Sequence, residues 1–490
     1  MSADLAYGTL LLSAVLGAPE VHSQQKAPVE LPTSWEAPPG DRIEHQTAGF
    51  AKVLCSALFI TGRDLASAAA EDGLFVAPLN DRQAVVDTVV DRDRHEVRLT
   101  LASGITRVAR QFGDQGCVTL PRGADSVYFR PIQIRSSLPP ADRQPWPMGD
   151  QLPDAPFPPQ LDSAKVAAAA VAAFASREAL TAAFLVVHKG RIIAERYGPG
   201  TDATTRLPSW SMGKSITATL IGQLVHEGVY DLWKPAPVEE WSRPGDPRRA
   251  IRLADLLRMS SGLRFAGARD SLGYPDHLYV YTGAIDAFRW SVTRPPQFLP
   301  NTVGRYRNSD PLVLGLLIRQ AVEARRQEYL SYPQRHLFDQ LGIRRMVLET
   351  DPYGNFLLNG YELGTGRDWA RLGMLYLQDG VWNGRRMLPK GWTDFVRTPA
   401  PAWREPIYGG QFWLNRTRRM PIPEDAYVMV GTGGQYTIII PTHDLVAVRL
   451  GHAKGQEAGD TALAHTLTLL MEAVPQVREP WQPPAEAQHR

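Results

Sequence analysis

"RLPSWSMGKSITATL" (residues 206–220) can be read in two ways. Gly213-Lys214-Ser215 is how a phosphate-cradling P-loop ends, while Ser211-Met212-Gly213-Lys214 places a serine three residues ahead of a lysine. A P-loop needs a further glycine five positions before the glycine of its Gly-Lys-Ser, so that backbone N–H groups can approach phosphate. That position is Pro208, which has no N–H and a fixed φ. The preceding "TDATTRLP" is polar and turn-like, with no strand leading into the loop. The nucleotide reading fails.

The serine reading gains from its surroundings. Met212, Ile216, Leu220 and Leu224 recur every four residues, which predicts a buried helix beginning around Trp210 to Ser211. Residues i and i+3 share a helix face, so Lys214 stands one turn above Ser211 within reach of its hydroxyl. At a helix start, free N–H groups and the helix dipole favour a developing oxyanion. A partly desolvated lysine there has its pKa lowered toward that of a base. Ser23-Gln24-Gln25-Lys26 has the same spacing but no apolar periodicity behind it.

Composition narrows the alternatives. The chain has 490 residues and a formal net charge of +2, with no Lys/Arg block, so nothing points to a nucleic-acid partner. HExxH is absent, the eleven histidines are scattered, and no metal or other cofactor is expected. No Gly-x-Ser-x-Gly elbow competes for the role of nucleophile. Residues 5–18 are apolar but too short to span a bilayer, and Val21 and Ser23 fit a signal-peptidase site, although the first 25 residues carry no Lys or Arg. Residues 1–23 are therefore expected to be a signal peptide, and the protein periplasmic or secreted. Cys55 and Cys117 are the two cysteines. In an exported chain they are expected to be bridged, closing a loop worth about 4 kcal/mol; in a cytosolic chain they would be two buried thiols.

Along the chain, residues 24–45 read as a linker and 46–135 as a small α+β region. In "HEVRLTLA" Val97, Leu99 and Leu101 alternate with Glu96, Arg98 and Thr100. A Pro-rich linker covers 136–160. From 161 to 476, "KVAAAAVAAFAS" predicts a helix, and "AFLVVHKGRIIAERY" two strands around Lys189-Gly190. "AYVMV", "YTIII" and "LVAVRL" predict strands before the apolar helix "ALAHTLTLLMEAV". One antiparallel sheet closed by both ends of this region follows, flanked by helices, with a mainly helical, loop-rich stretch inserted at about 212–420. Residues 477–490 form a tail.

Three elements then appear in order: Ser211-Met212-Gly213-Lys214, Tyr306-Arg307-Asn308 and Gly431-Thr432-Gly433-Gly434. With "LADLLRMSSGL" (253–263), "GRDWARLGMLYLQDGVWNG" (366–384) and "GTGGQYTIIIP" (431–441), they resemble the penicillin-recognising serine hydrolases. That superfamily includes class C β-lactamases, D,D-peptidases, family VIII carboxylesterases and the aminohexanoate-dimer hydrolases, and the likeness is greatest to the last. It covers roughly 160–475 and implies a β-lactamase/transpeptidase-like α/β (α+β) fold. It also implies that Ser211 is a nucleophile forming an acyl-enzyme, with the proton work shared between Lys214 and Tyr306. Asn308 would bind Lys214 or a substrate amide, and the Ser211 and Gly434 N–H groups, beside Gly433, would form an oxyanion hole. A second Tyr-x-Asn, at Tyr353, sits in a Pro-Gly turn and reads as structural.

The chain departs from the family pattern at Gly431, where drug-binding members carry lysine. A substrate carboxylate there loses a charge-assisted hydrogen bond of about 1.5 to 3 kcal/mol. This favours an ester or amide with a less charged acyl part over a β-lactam or a peptidoglycan stem; a silent binding protein of the same fold is the remaining alternative. Tyr274, Tyr279 and Tyr281 lie in a loop-like stretch from which one, Tyr281 above all, would line the pocket. His452, after "LVAVRL", would either face the cleft and supply the missing charge at low pH or cap a strand end. The expected partner is a small-molecule ester or amide.

Overall fold

A computed structural model describes residues 29–73, 79–267 and 274–484. The expected signal peptide lies outside them. No helix among the described residues is long and apolar enough to cross a membrane.

The N-terminal region consists of a helix laid on a sheet. Asp41 caps α1 (Arg42–Ser56), its carboxylate accepting from the Glu44 N–H, so the helix already opens inside the stretch expected as linker. Four antiparallel strands follow in spatial order, β1 (Val85–Asp91), β2 (Glu96–Leu101), β3 (Thr106–Gln111) and β4 (Cys117–Thr119). Val97, Leu99 and Leu101 are buried as their alternation predicts, the first two packing with Phe50, Leu54 and Cys55 from α1. Glu96 is the exception on the polar face: it is buried and paired with Arg98 and Arg110. Cys55 and Cys117 form a disulfide tying α1 to β4.

Next come α2 (Ser163–Ala172), β5 (Thr181–His188) and β6 (Arg191–Tyr197). Lys189 and Gly190 both take positive φ, the twist that lets a two-residue turn join antiparallel strands. A short β7 (Leu207–Pro208) leads to the serine segment and α3 (Gly213–His226). The inserted stretch carries α4 (Asp276–Thr282), α5 (Ser309–Ala324), β8 (Val347–Leu348), β9 (Glu362–Gly364) and α6 (Gly366–Leu377). The chain then adds β10 (Trp413–Leu414), β11 (Tyr427–Gly431), β12 (Gln435–Ile440), β13 (Leu445–Gly451) and α7 (Gln456–Ala473).

The main sheet has six antiparallel strands in the order β10-β11-β12-β13-β5-β6, so the two ends of the region meet where β13 pairs with β5, as expected. All of β5 is buried, and its side chains divide by parity. Leu185 and Val187 join the core shared with α3, α5 and α6, while Phe184 and Val186 join the core under α2 and α7. A separate small sheet, β7-β9-β8, holds the approach to the serine segment against the inserted stretch.

Candidate active site

Pro208 and Leu363 are register partners, which places Ser209 beside Glu362, and the Ser209 N–H donates to the Glu362 carbonyl at 2.9 Å. The chain then turns sharply. Trp210 has φ of 48°, a left-handed conformation that a bulky residue adopts only when its surroundings hold it there. Here the indole is clamped among Val53, Tyr281 and Tyr361. Trp210–Met212 form one 3₁₀ turn and α3 starts at Gly213, so Ser211 lies at the helix mouth and is partly exposed.

Lys214 Nζ donates to Ser211 Oγ at 2.9 Å and to the Asn359 carbonyl. The Tyr306 phenol lies beside Ser211, and its ring centroid lies 4.9 Å from Lys214 Nζ. The three groups named by the sequence are thus brought into mutual contact from two distant segments. Burial is the main influence on Lys214 and lowers its amine to about 7, with the Glu362 carboxyl opposing. Burial likewise raises the Tyr306 phenol, against the Ser211 hydrogen bond. His277 is held down to about 3 by burial first and then by Lys214 and Arg307, so it is neutral at ordinary pH.

The expected supporting residues divide. Asn308 is buried at the N-terminus of α5, beside Tyr281, and donates to the His277 carbonyl at 3.0 Å rather than meeting Lys214. The helix is not capped by a Ser309 or Asp310 side chain: it starts at Ser309, and Asp310 accepts from Ser261 and Ser309 instead. Pro311 sits in the first turn, where its missing N–H costs no intrahelical bond. The tyrosine stretch is helical at α4 rather than loop-like, and residues 271–273 of it lie outside the described set. Tyr281 is the one directed at the site, its hydroxyl donating at 2.7 Å to the Asn359 carbonyl that also accepts from Lys214. Tyr274 pairs with Thr282, and Tyr279 packs on Trp290.

Gly431 ends β11, and Gly433 and Gly434 form the tight turn into β12, both at positive φ. A Cβ on Gly431 would lie 2.0 Å from the Ser209 carbonyl oxygen. The strand end is pressed so closely against the serine turn that no side chain fits there, lysine included. The Gly433 N–H is committed to Gln456 at 2.9 Å. His452 is buried and bonded to Asp72 at 2.9 Å and to Arg63, both from the N-terminal region. On the far side of Tyr306 stands an aromatic wall in which Trp413 stacks on the phenol at 5.5 Å and Tyr408 meets it edge-on.

Sequence reasoning passed over Glu362, Asn359 and the aromatic wall. Glu362 follows no motif, and Asn359 acts through its backbone, which no side-chain pattern reveals. The wall residues are scattered between 403 and 413 in a loop-rich stretch.

An antiparallel sheet flanked by helices, with a hydroxyl, an amine and a phenol gathered at a helix mouth beside its end, is the β-lactamase/transpeptidase-like fold of the penicillin-recognising serine hydrolases. Residues 166–470 match the model of the Beta-lactamase family, and the chain belongs to that family of hydrolases. It is 24% identical over 298 residues to the 6-aminohexanoate-dimer hydrolase of Paenarthrobacter ureafaciens, covering 56% of this chain and 73% of that one. Among solved structures, a penicillin-binding protein homologue from Caulobacter crescentus aligns with a TM-score of 0.51 at 17% identity, over 64% of this chain and 98% of that one. A Bacillus anthracis protein described as a 6-aminohexanoate-dimer hydrolase aligns with a TM-score of 0.50 at 21% identity, over 61% and 81%.

Proposed function

We propose that this hydrolase cleaves an ester or amide through an acyl-enzyme on Ser211. The observation that carries the reading is Lys214 Nζ at 2.9 Å from Ser211 Oγ, with the Tyr306 phenol beside the same hydroxyl. In the forward step Ser211 Oγ attacks the carbonyl carbon and its proton passes to the Lys214–Tyr306 pair. The pair then delivers a proton to the leaving oxygen or nitrogen. Water attacks the acyl carbon in the second half, giving up its proton to the same pair, which returns a proton to Ser211 Oγ as the acyl–Oγ bond breaks and the acid leaves. The proton work is assigned to the pair rather than to either group alone. The Ser211 and Gly434 N–H groups are the proposed oxyanion donors, at the helix mouth and the β11–β12 turn.

Two features support an acyl part without a carboxylate. Gly431 leaves no room for the positive side chain such a group would need, and Trp413, partly exposed beside Tyr306, offers an apolar face. The aminohexanoate-dimer hydrolase relative agrees with amide or ester chemistry. The Cys55–Cys117 bridge supports a periplasmic or secreted location. The test is turnover of a short-chain p-nitrophenyl ester beside the chromogenic cephalosporin nitrocefin. Ester hydrolysis is expected to exceed nitrocefin hydrolysis and to fall to background in Ser211→Ala. An S211A protein as active as wild type would remove the mechanism, and preferential nitrocefin turnover would reassign the substrate to β-lactams.

A further inference from the structure

Glu362 begins β9, is 1% exposed, and belongs to none of the three motifs. Its Oε2 accepts from Ser209 Oγ at 3.1 Å, while Oε1 is buried with no hydrogen-bond partner among the described residues. The carboxyl lies against the first residue of α3: a Cβ on Gly213 would stand 1.9 Å from its Oε2. Gly213 is therefore glycine because a carboxyl occupies the space of its side chain, which accounts for the P-loop-like Gly-Lys-Ser. On its other side the carboxyl borders a cavity of about 20 Å³, room for about one water, which also touches Thr61 and Asp72.

An ionised carboxylate with an unsatisfied oxygen is strongly disfavoured at this depth unless a positive charge answers it. Lys214 is that charge, yet among the described residues its amine bonds only to the neutral oxygens of Ser211 and Asn359. We propose that Glu362 is a positioning residue for Lys214, its buried carboxyl deciding whether the amine stands as free base or as ammonium. This rests on the serine-hydrolase reading above. The two groups avoid a net charge by standing either as acid with amine or as carboxylate with ammonium. With no hydrogen bond joining them, attraction does not repay the desolvation of two ions, and acid with amine is the stable form. In that form Lys214 has a lone pair to take the Ser211 proton.

The surrounding groups do not compete. His277, Tyr281, Tyr306 and Tyr361 are neutral near pH 7, and Glu349, paired with Lys52 at 2.8 Å, acts on the Glu362 carboxyl in the same upward direction as burial. Asp72, across the cavity, is bonded to His452 and Arg63. Burial raises Glu362 to about 8, opposed by Lys214 and the Ser209 bond, above the value of about 7 for the lysine. The order agrees with the geometry.

The test is the pH dependence of Ser211 acylation by an activated ester in wild type, Glu362→Gln and Ser209→Ala. Wild type is expected to show two ionisations, from a coupled pair. E362Q is expected to show one: the alkaline ionisation is lost because the amide cannot ionise, while the acid limb stays near its wild-type place because the Glu362 carboxyl is already protonated where Lys214 titrates. S209A removes a bond that favours the carboxylate, so it is expected to keep both ionisations and move the alkaline one upward; it decides the matter alone if E362Q does not fold. An alkaline ionisation unchanged from wild type in the folded variants, whatever their rates, would overturn the role of Glu362 while leaving Ser211 in place. Failure of wild type to acylate at Ser211 would overturn both readings.

Discussion

At Gly431 the protein departs from its drug-binding relatives, and the departure is geometric before it is electrostatic. The missing lysine is a missing charge, but the backbone there also has no place for any Cβ, with the Ser209 carbonyl 2.0 Å from where one would stand. Restoring lysine should therefore not restore recognition of carboxylates. Gly431→Lys is expected to lower stability by about 1 to 3 kcal/mol through overpacking against the serine turn. It should leave nitrocefin turnover no higher than wild type, as thermal unfolding and an absorbance assay would show. A stable G431K protein with raised nitrocefin turnover would mean that the strand end can withdraw from Ser209.

Among the elements, those with clean periodicity were readable from the chain. The β5–β6 hairpin followed from its Lys-Gly turn, and the terminal strands from short apolar runs bounded by turn residues. Ser211, Lys214 and Tyr306 were legible because their spacing is local or their motif short. Glu362 was not: it lies 153 residues from the Ser209 it bonds, and the pairing of β7 with β9 that joins them comprises only two residue pairs. Helix α4 was hidden by its tyrosines and the adjoining glycine and proline, which read as loop.

The role of the N-terminal region was equally silent, since its contacts depend on charges fully removed from water. Lys52 of α1 pairs with Glu349, just after β8, at 2.8 Å; the same carboxylate accepts from Ser56 and from the Cys117 N–H. Lys52→Met leaves Glu349 buried without its cation and is expected to cost about 3 to 5 kcal/mol, read as a lower denaturation midpoint. The double variant Lys52→Met/Glu349→Leu should recover much of that loss. A single variant as stable as wild type would show that this pair does not hold the region in place.

Across the whole molecule, the N-terminal region forms the back of the site. Val53 of α1 packs with Trp210 and Tyr281, and His45 lies against Tyr274 and Tyr279 of the stretch that delivers Tyr281. The six-stranded sheet supplies the front through β11, and the inserted stretch supplies Tyr306, Asn359 and Glu362. Three parts of the chain thus enclose one lysine, and their combined burial lowers its pKa. The ammonium cannot accept a proton and the amine can, so activity must fall as pH drops through about 7. The most direct measurement is intact-protein mass with peptide mapping after brief exposure to an activated acyl ester, repeated from acid to neutral pH. The account predicts a single acyl group on Ser211, formed ever more slowly below about pH 7 and hardly at all in Lys214→Met. An adduct on another residue, or acylation of Ser211 at one rate across that range and in the variant, would contradict it.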